Sequence, residues 1–287
     1  MSNGLNISLK SYDSIFQSEE QRNTEEIKPV PISELKPFTE QPFKVKLDED
    51  MDALVESIKQ CGVLTPVIAR PHKDGGYEIL SGHRRVKACE LAGITDIPVV
   101  VKNLDDDTAT ILLVDSNLQR EHILPSEKAF AYQMKLEAMK RQGARTDLTS
   151  RQIVGKLESA DILGQDTGES GRQIQRYIRL TNLIDPILDM VDNNQIAMNA
   201  AVEISYLGSK EQAAVMQSIE KEETSPSIAQ ARKMRKFHQD GNLSNAVIDS
   251  IMMEQKPETV KITLGEDKLK KYFPKSYSKA KMEEIIL

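Results

Sequence analysis

Tyr77-Glu-Ile-Leu-Ser-Gly-His-Arg-Arg-Val-Lys-Ala88 decides how this chain is read: a short apolar run suited to a strand meets glycine, and two arginines then open an amphipathic helix. Glycine lets the backbone turn tightly and leaves its N–H open beside the helix start. Unpaired amides and the positive end of the helix dipole favour an anion at that point, and Arg84 and Arg85 add charge. Taken alone, the segment suits a plain turn with solvated arginines equally well, so its neighbours carry the decision.

Upstream, Pro66-Val-Ile-Ala-Arg-Pro71 reads as a second strand, and the turn-forming Lys73-Asp-Gly-Gly76 between the two predicts a hairpin. Before it, Met51, Leu54, Val55 and Ile58 recur at helical spacing from about Asp48 to Cys61, where Gly62 stops the helix. Ile27 to Leu35 reads as an edge strand, because its prolines exclude a central position, and Pro37 to Pro42 reads as a loop. Downstream, Gly93 breaks the chain, Ile97-Pro-Val-Val-Val101 predicts another strand, and Thr108 to about Gln119 returns to helix.

From Pro125 the strand signal nearly disappears. Ser126 suits the N-cap of a helix reaching about Gln142, and further helices are predicted near 159–166, 170–181, 184–193, 197–206 and 209–221. Thr224-Ser-Pro-Ser227 breaks the run before a basic helix at Ile228 to His238, and Gly241 marks another boundary. Val260-Lys-Ile-Thr-Leu264 and Met282-Glu-Glu-Ile-Ile-Leu287 suggest a final strand and helix. The expected fold class is therefore α+β multidomain. A flexible tail over 1–26 precedes a small mixed α/β domain over 27–124. An all-α domain over 125–223 carries a helix-turn-helix within 149–180, and a linker with a small C-terminal appendage covers 224–287.

Composition fits this division. With 287 residues, 39% hydrophobic and 29% charged, and no Trp, the chain suits two or three domains of roughly 100 to 150 residues each with modest, helix-rich cores. No run approaches the roughly 20 apolar residues of a membrane span, and the polar start lacks the order of a signal peptide. A cytoplasmic location without membrane contact is expected. Cys61 and Cys89 sit in helical patterns and read as reduced, partly buried thiols without a redox role. The net charge of −6 excludes a uniformly cationic surface, yet nucleic-acid binding depends on local patches. Arg172, Arg176, Arg179 and Arg232-Lys-Met-Arg-Lys236 supply such islands.

The segment Ser159 to Leu180 has the layout of a helix-turn-helix: short helix, glycine-containing turn, capped second helix. Thr149 to Leu157 is an alternative first helix with a longer turn. Ile174, Ile178 and Tyr177 suit the core side. Ser170, at the cap of the second helix, and Arg172, Gln173, Gln175, Arg176 and Arg179 around its outer side are the DNA-binding candidates, since Gln and Arg read base edges. An ordinary helical hairpin satisfies the same pattern. A third constellation, Asp115-Ser-Asn-Leu-Gln-Arg-Glu-His-Ile-Leu-Pro-Ser-Glu-Lys128, places a carboxylate, an amide and an arginine at one helix end. It suits a metal-bound phosphate chain or simply a polar helix end.

From about Ile27 to Ile219 these segments, in this order, resemble the ParB family of DNA-partition proteins. The residues that carry the resemblance are Gln60-Cys-Gly-Val-Leu-Thr-Pro-Val-Ile68, Ser81-Gly-His-Arg-Arg-Val-Lys-Ala88, Asn117-Leu-Gln-Arg-Glu-His-Ile-Leu-Pro125 and the helix-turn-helix. The resemblance implies a ParB/sulfiredoxin-like N-terminal domain that binds CTP and Mg²⁺, and a helical domain that binds a palindromic centromere-like DNA site. Carried over, Gly62, Thr65 and Pro66 line the base and ribose, while Ser81, Gly82, His83, Arg84 and Arg85 hold the triphosphate. Asn117 and Arg120 complete the site, with Asp115 and Asn117 as Mg²⁺ ligands. Where the family often has Glu before the asparagine, this chain has Ser116, which leaves metal binding and hydrolysis open. Sulfiredoxin chemistry needs a cysteine beside the Gly-His-Arg turn; this chain has Ser81, and Cys89 lies about two turns into the helix.

The resemblance implies a homodimeric partition protein, of plasmid, mobile-element or chromosomal origin, that uses CTP to close a clamp around double-stranded DNA and works with a ParA-type ATPase. Slow CTP hydrolysis would then act as a switch. Two alternatives stay open: a ParB-like transcription regulator without a segregation role, and a nucleotide-dependent enzyme on the same N-terminal fold. Against the enzyme stand only four histidines and no identifiable Ser-His-Asp or metal-cluster spacing.

Overall fold

The computed structural model of the chain describes residues 27–39, 41–120, 122–146, 160–161, 163–164 and 167–254. The predicted tail over 1–26, the alternative first helix Thr149 to Leu157 and the strand and helix of 260–287 lie outside the described residues. Up to Met252 the chain forms one compact unit.

Its first half is built on a five-stranded sheet in the order β1-β5-β3-β4-β2. The apolar stretch at the start divides: β1 (Ile27–Pro31) lies at one edge, a short 3-10 turn (Ile32–Glu34) follows, and β2 (Leu35–Lys36) lies at the other edge. Pro29 and Pro31 cannot donate to a ladder, and their strand pairs on one side only, antiparallel with β5 (Asp96–Val101). The predicted hairpin forms: β3 (Val67–Pro71) and β4 (Tyr77–Ser81) pair antiparallel, while β3 runs parallel to β5.

Alternation along the strands separates two faces. Ile79 joins Val67, Val99 and the buried stripe of α1 (Glu49–Cys61) and α2 (His83–Ala92), including Met51, Val55, Ile58, Val86 and Cys89. Leu80, one residue on, packs with Phe38 and with Ala109 and Leu113 of α3 (Asp106–Leu118). Asp48 caps α1 by accepting the Met51 N–H at 3.0 Å, and Gly62 ends that helix at φ 70°.

The long helix α4 (Pro125–Thr146) joins this sheet layer to the helices beyond. Its Ala131 packs with Phe43 and Val114, and its Tyr132 packs with Leu163 and Ile174. Ser126 is not its N-cap. Proline occupies the first helical position, where a missing N–H costs nothing, and the Ser126 N–H and hydroxyl both donate to the Asp192 carboxylate. Next come α5 (Gly171–Arg179), α6 (Asp185–Asp192), α7 (Met198–Ile204), α8 (Ser209–Glu222), α9 (Ile228–Gln239) and α10 (Asn245–Met253). The expected linker from 224 onward is corrected in part, because Ala231, Met234, Ile248 and Ile251 are buried in one core with Leu180, Ile187, Ile204 and Val215. The apolar stripes of α9 and α10 need that cover. Among the described residues no helix is long and apolar enough to cross a membrane.

Candidate functional site

The turn at Gly82 is left-handed, φ 106° and ψ 21°, a region that side-chain-bearing residues rarely adopt. A Cβ there would stand 3.1 Å from both the Arg85 guanidinium and Val67 Cγ2. Gly82 provides no side-chain cap to α2, and its turn borders a cavity of about 220 Å³. Ser81, Gly82, His83, Arg84, Arg85, Asn117 and Arg120 line it together with Ser116 and the 41–45 loop. The structure thus gathers two of the predicted motifs, 81–85 and 117–120, about one concavity.

Their side chains are not equivalent. His83 Nε2 is buried without a hydrogen-bond partner, and burial lowers the imidazole pKa to about 4, with the nearby Glu78 acting in the opposite sense. The ring is therefore neutral near pH 7, with Nε2 buried and unpartnered. Arg84 Nη2 meets Asp48 Oδ1 at 3.2 Å. Arg85 Nη1 donates to the carbonyls of Thr65 and Pro66, the latter at 2.6 Å, and burial lowers its pKa. Gly62, Thr65 and Pro66 do not line the cavity; Arg85 ties Thr65 and Pro66 to it. Asn117 Nδ2 donates to the Leu113 carbonyl at 2.8 Å, leaving Oδ1 toward Arg120 at 3.5 Å.

Asp115 is not brought to the cavity. Its carboxylate pairs at 2.6 Å with Lys135 of α4, whose side chain is only 3% exposed. No carboxylate among the described residues lines the cavity, and none of them form a cluster of three or more His, Cys, Asp or Glu suited to a metal ion. The residues present therefore do not fit a Mg²⁺ held by Asp115. Cys89 is fully buried and its thiol is pushed up by burial, with Arg85 opposing, which makes a poor nucleophile. Sequence reading missed the 41–45 loop: Gln41, Phe43, Lys44 and Val45 line the cavity, Lys44 adding positive charge. The loop is held by a distant contact, the Lys44 N–H to Glu127 of α4 at 2.8 Å, and a lone lysine in a loop carries no local signal for it.

In the helical half, Ser170 caps α5 as expected, accepting the Gln173 N–H at 3.2 Å. The turn before it is glycine-dependent: Gly168 has φ 71°, and a Cβ on Gly164 would fall 2.3 Å from the Glu169 carbonyl oxygen. Ile174 is fully buried, and Tyr177 stacks edge-on with Tyr132 at 5.8 Å. Arg172 and Gln175 are exposed. Gln173, Arg176 and Arg179 instead engage α7 and its end: Gln173 reaches Met198 Sδ, Arg176 reaches Asn199, and Arg179 donates to the Ser205 carbonyl at 2.9 Å. Arg179 and Arg235 also lie 3.9 and 3.5 Å from the centroid of Tyr206. Burial opposes ionisation of Glu203, but Arg235 and Arg232 outweigh it and hold the carboxyl below its ordinary range. Both basic islands therefore meet on one side of the helical domain.

The described chain up to Met252 thus combines a five-stranded α/β layer, with a cation-lined cavity at Gly82, and a run of helices from α4 onward. Residues 16–118 match the family described as the ParB N-terminal domain, and the chain is similar to ParB proteins over a longer stretch. It is 34% identical over 154 residues to a probable chromosome-partitioning protein ParB of Neisseria meningitidis, covering 54% of this chain and 48% of that one. To stage 0 sporulation protein J of Bacillus subtilis it is 32% identical over 199 residues, 69% of this chain and 62% of that one. A nucleoid occlusion protein of a Geobacillus strain is 37% identical over 119 residues, 41% of this chain and 42% of that one. The chain thus spans about half the length of the curated relatives it matches. The 199-residue match is too long to fit within the first domain, so similarity reaches into the helices.

Proposed function

We propose that this chain is a DNA-binding partition protein that loads on a palindromic site as a homodimer and takes CTP in the Gly82 cradle as a switch. The observation that carries this is the cavity itself. It sets the start of α2, which has no side-chain cap, beside four cationic residues, Lys44, Arg84, Arg85 and Arg120. Such a set suits a polyphosphate. Bound there, CTP would supply several negative charges that the cationic groups neutralise and that the α2 amides orient. A ligand shifts an open-to-closed equilibrium only by binding one state more tightly; a triphosphate that touches both α2 and the end of α3 meets that requirement. With Asp115 engaged by Lys135, Mg²⁺ would enter with the phosphates rather than through that carboxylate, and any CTP hydrolysis would be slow.

On the DNA side, exposed Arg172 and Gln175 are the base-reading candidates. Ser170 sets the start of the helix, while Gln173, Arg176 and Arg179 brace it against α7. A ParA-type ATPase is the expected partner. The test is calorimetric binding of CTP to the full chain and selection of bound sequences from a random duplex library. Arg84→Ala should lose CTP binding at least tenfold. Arg172→Ala should cost about 1–3 kcal/mol at one base position. No CTP binding together with no selected palindrome would sink the reading. The nucleoid occlusion name of one relative favours a second reading, a DNA-bound regulator without a segregation role; retention of no ParA-type ATPase in pull-downs would support it.

A further inference from the structure

Arg84 does not project freely into the cradle, because Asp48 holds it. One oxygen, Asp48 Oδ1, takes the Arg84 guanidinium at 3.2 Å and the Met51 N–H at 3.0 Å. Both side chains are partly exposed, 29% for Arg84 and 39% for Asp48. The contact is therefore within reach of a solute and is not sealed in the core. Asp48 lies outside the cradle motifs, and its evident task is to cap α1. A carboxylate against a cradle arginine does something more: it supplies the negative charge that a phosphate would otherwise supply.

We propose that Asp48 sets the affinity of the cradle by acting as an internal counter-anion that a bound phosphate must displace from Arg84. This rests on the reading of the cradle as a polyphosphate site. Two anions compete for one guanidinium, and the loser is left beside a like charge, so the carboxylate weakens binding twice: it occupies the arginine and it repels the incoming phosphate. Displacement also removes a partner from the oxygen that starts α1, linking occupancy of the cradle to the helix ahead of the 62–66 loop.

The capping role and the counter-anion role separate cleanly. Asparagine caps a helix about as well as aspartate but carries no charge. Asp48→Asn therefore keeps the Met51 bond and removes the competitor. The experiment is calorimetric titration of the full chain with CTP and, separately, with inorganic tripolyphosphate, using wild type, Asp48→Asn, Arg84→Gln and the double variant. Asp48→Asn should bind both ligands about three- to tenfold more tightly while melting within a few degrees of wild type, and on the Arg84→Gln background the gain should fall below about twofold. Unchanged affinity of Asp48→Asn, or an equal gain without Arg84, overturns the proposal while leaving the nucleotide reading intact. Tighter tripolyphosphate binding with no response to CTP does the reverse: it supports the counter-anion and refutes the nucleotide. Silence with both ligands in every variant refutes both.

Discussion

Replacing Gly82 by alanine tests the cradle most directly. At φ 106° an L-residue is strained by about 1–3 kcal/mol. The new Cβ would also stand 3.1 Å from Arg85 Nη2 and Val67 Cγ2 and 3.2 Å from Arg85 Cζ. Val67 is fully buried in the sheet and cannot yield, so Arg85 must move. Its bonds to the Thr65 and Pro66 carbonyls then lengthen or break, and hydrogen bonds from a charged donor are worth about 1.5–3 kcal/mol each when buried, less here because the group is partly exposed. The sum is about 2–4 kcal/mol. For a unit of this size that lowers the melting temperature by about 5–12 °C. CTP affinity should fall by about tenfold or more, since 1.4 kcal/mol is a factor of ten. Thermal unfolding by circular dichroism and calorimetric titration read the two effects. A variant that melts within about 1 °C of wild type and binds CTP unchanged would refute the reasoning, because neither the strained turn nor the Arg85 clasp would then matter.

Gly164→Ala places a Cβ 2.3 Å from the Glu169 carbonyl oxygen, a clash with backbone that only a shift of the turn relieves; a loss of about 1–3 kcal/mol in denaturant unfolding and weaker duplex binding by fluorescence anisotropy are expected. His83 gives a pH signature. Its folded pKa of about 4 lies below the ordinary 6.5, so between these values the unfolded chain takes up a proton that the folded chain refuses. Stability is full above about pH 6.5 and declines by up to about 3 kcal/mol as pH falls toward 4; urea unfolding across that range should show the slope, and His83→Gln should flatten it. Asp115→Asn leaves buried Lys135 facing a neutral amide and should cost about 1–2 kcal/mol in thermal unfolding. Its CTP affinity with and without Mg²⁺ should match wild type, and loss of the Mg²⁺ response alone would restore Asp115 as a metal ligand.

Much of the architecture was legible because it is local. The 3.6-residue spacing of Met51, Val55 and Ile58 marks α1, Asp48 and Gly62 mark its ends, and Lys73-Asp-Gly-Gly76 marks the β3–β4 hairpin. Division of the first apolar stretch between opposite sheet edges was not legible, since a two-residue parallel pairing leaves no periodicity. Nor was the burial of α9 and α10, whose stripes do not name the core they join.

The sequence by itself determined the cradle turn, the capped helix α5 and the order of the motifs, because glycine conformation, capping and hydrophobic periodicity act over a few residues. Only the tertiary structure decided what each long polar side chain does. Arg84 faces Asp48, Arg85 faces the Thr65 and Pro66 carbonyls, Arg179 faces the Ser205 carbonyl and Asp115 faces Lys135. The partners in these contacts lie between 19 and 36 residues apart. An arginine or aspartate carries its charge on rotatable bonds, and its direction is settled by whichever counter-group the fold brings near, which no short-range pattern encodes.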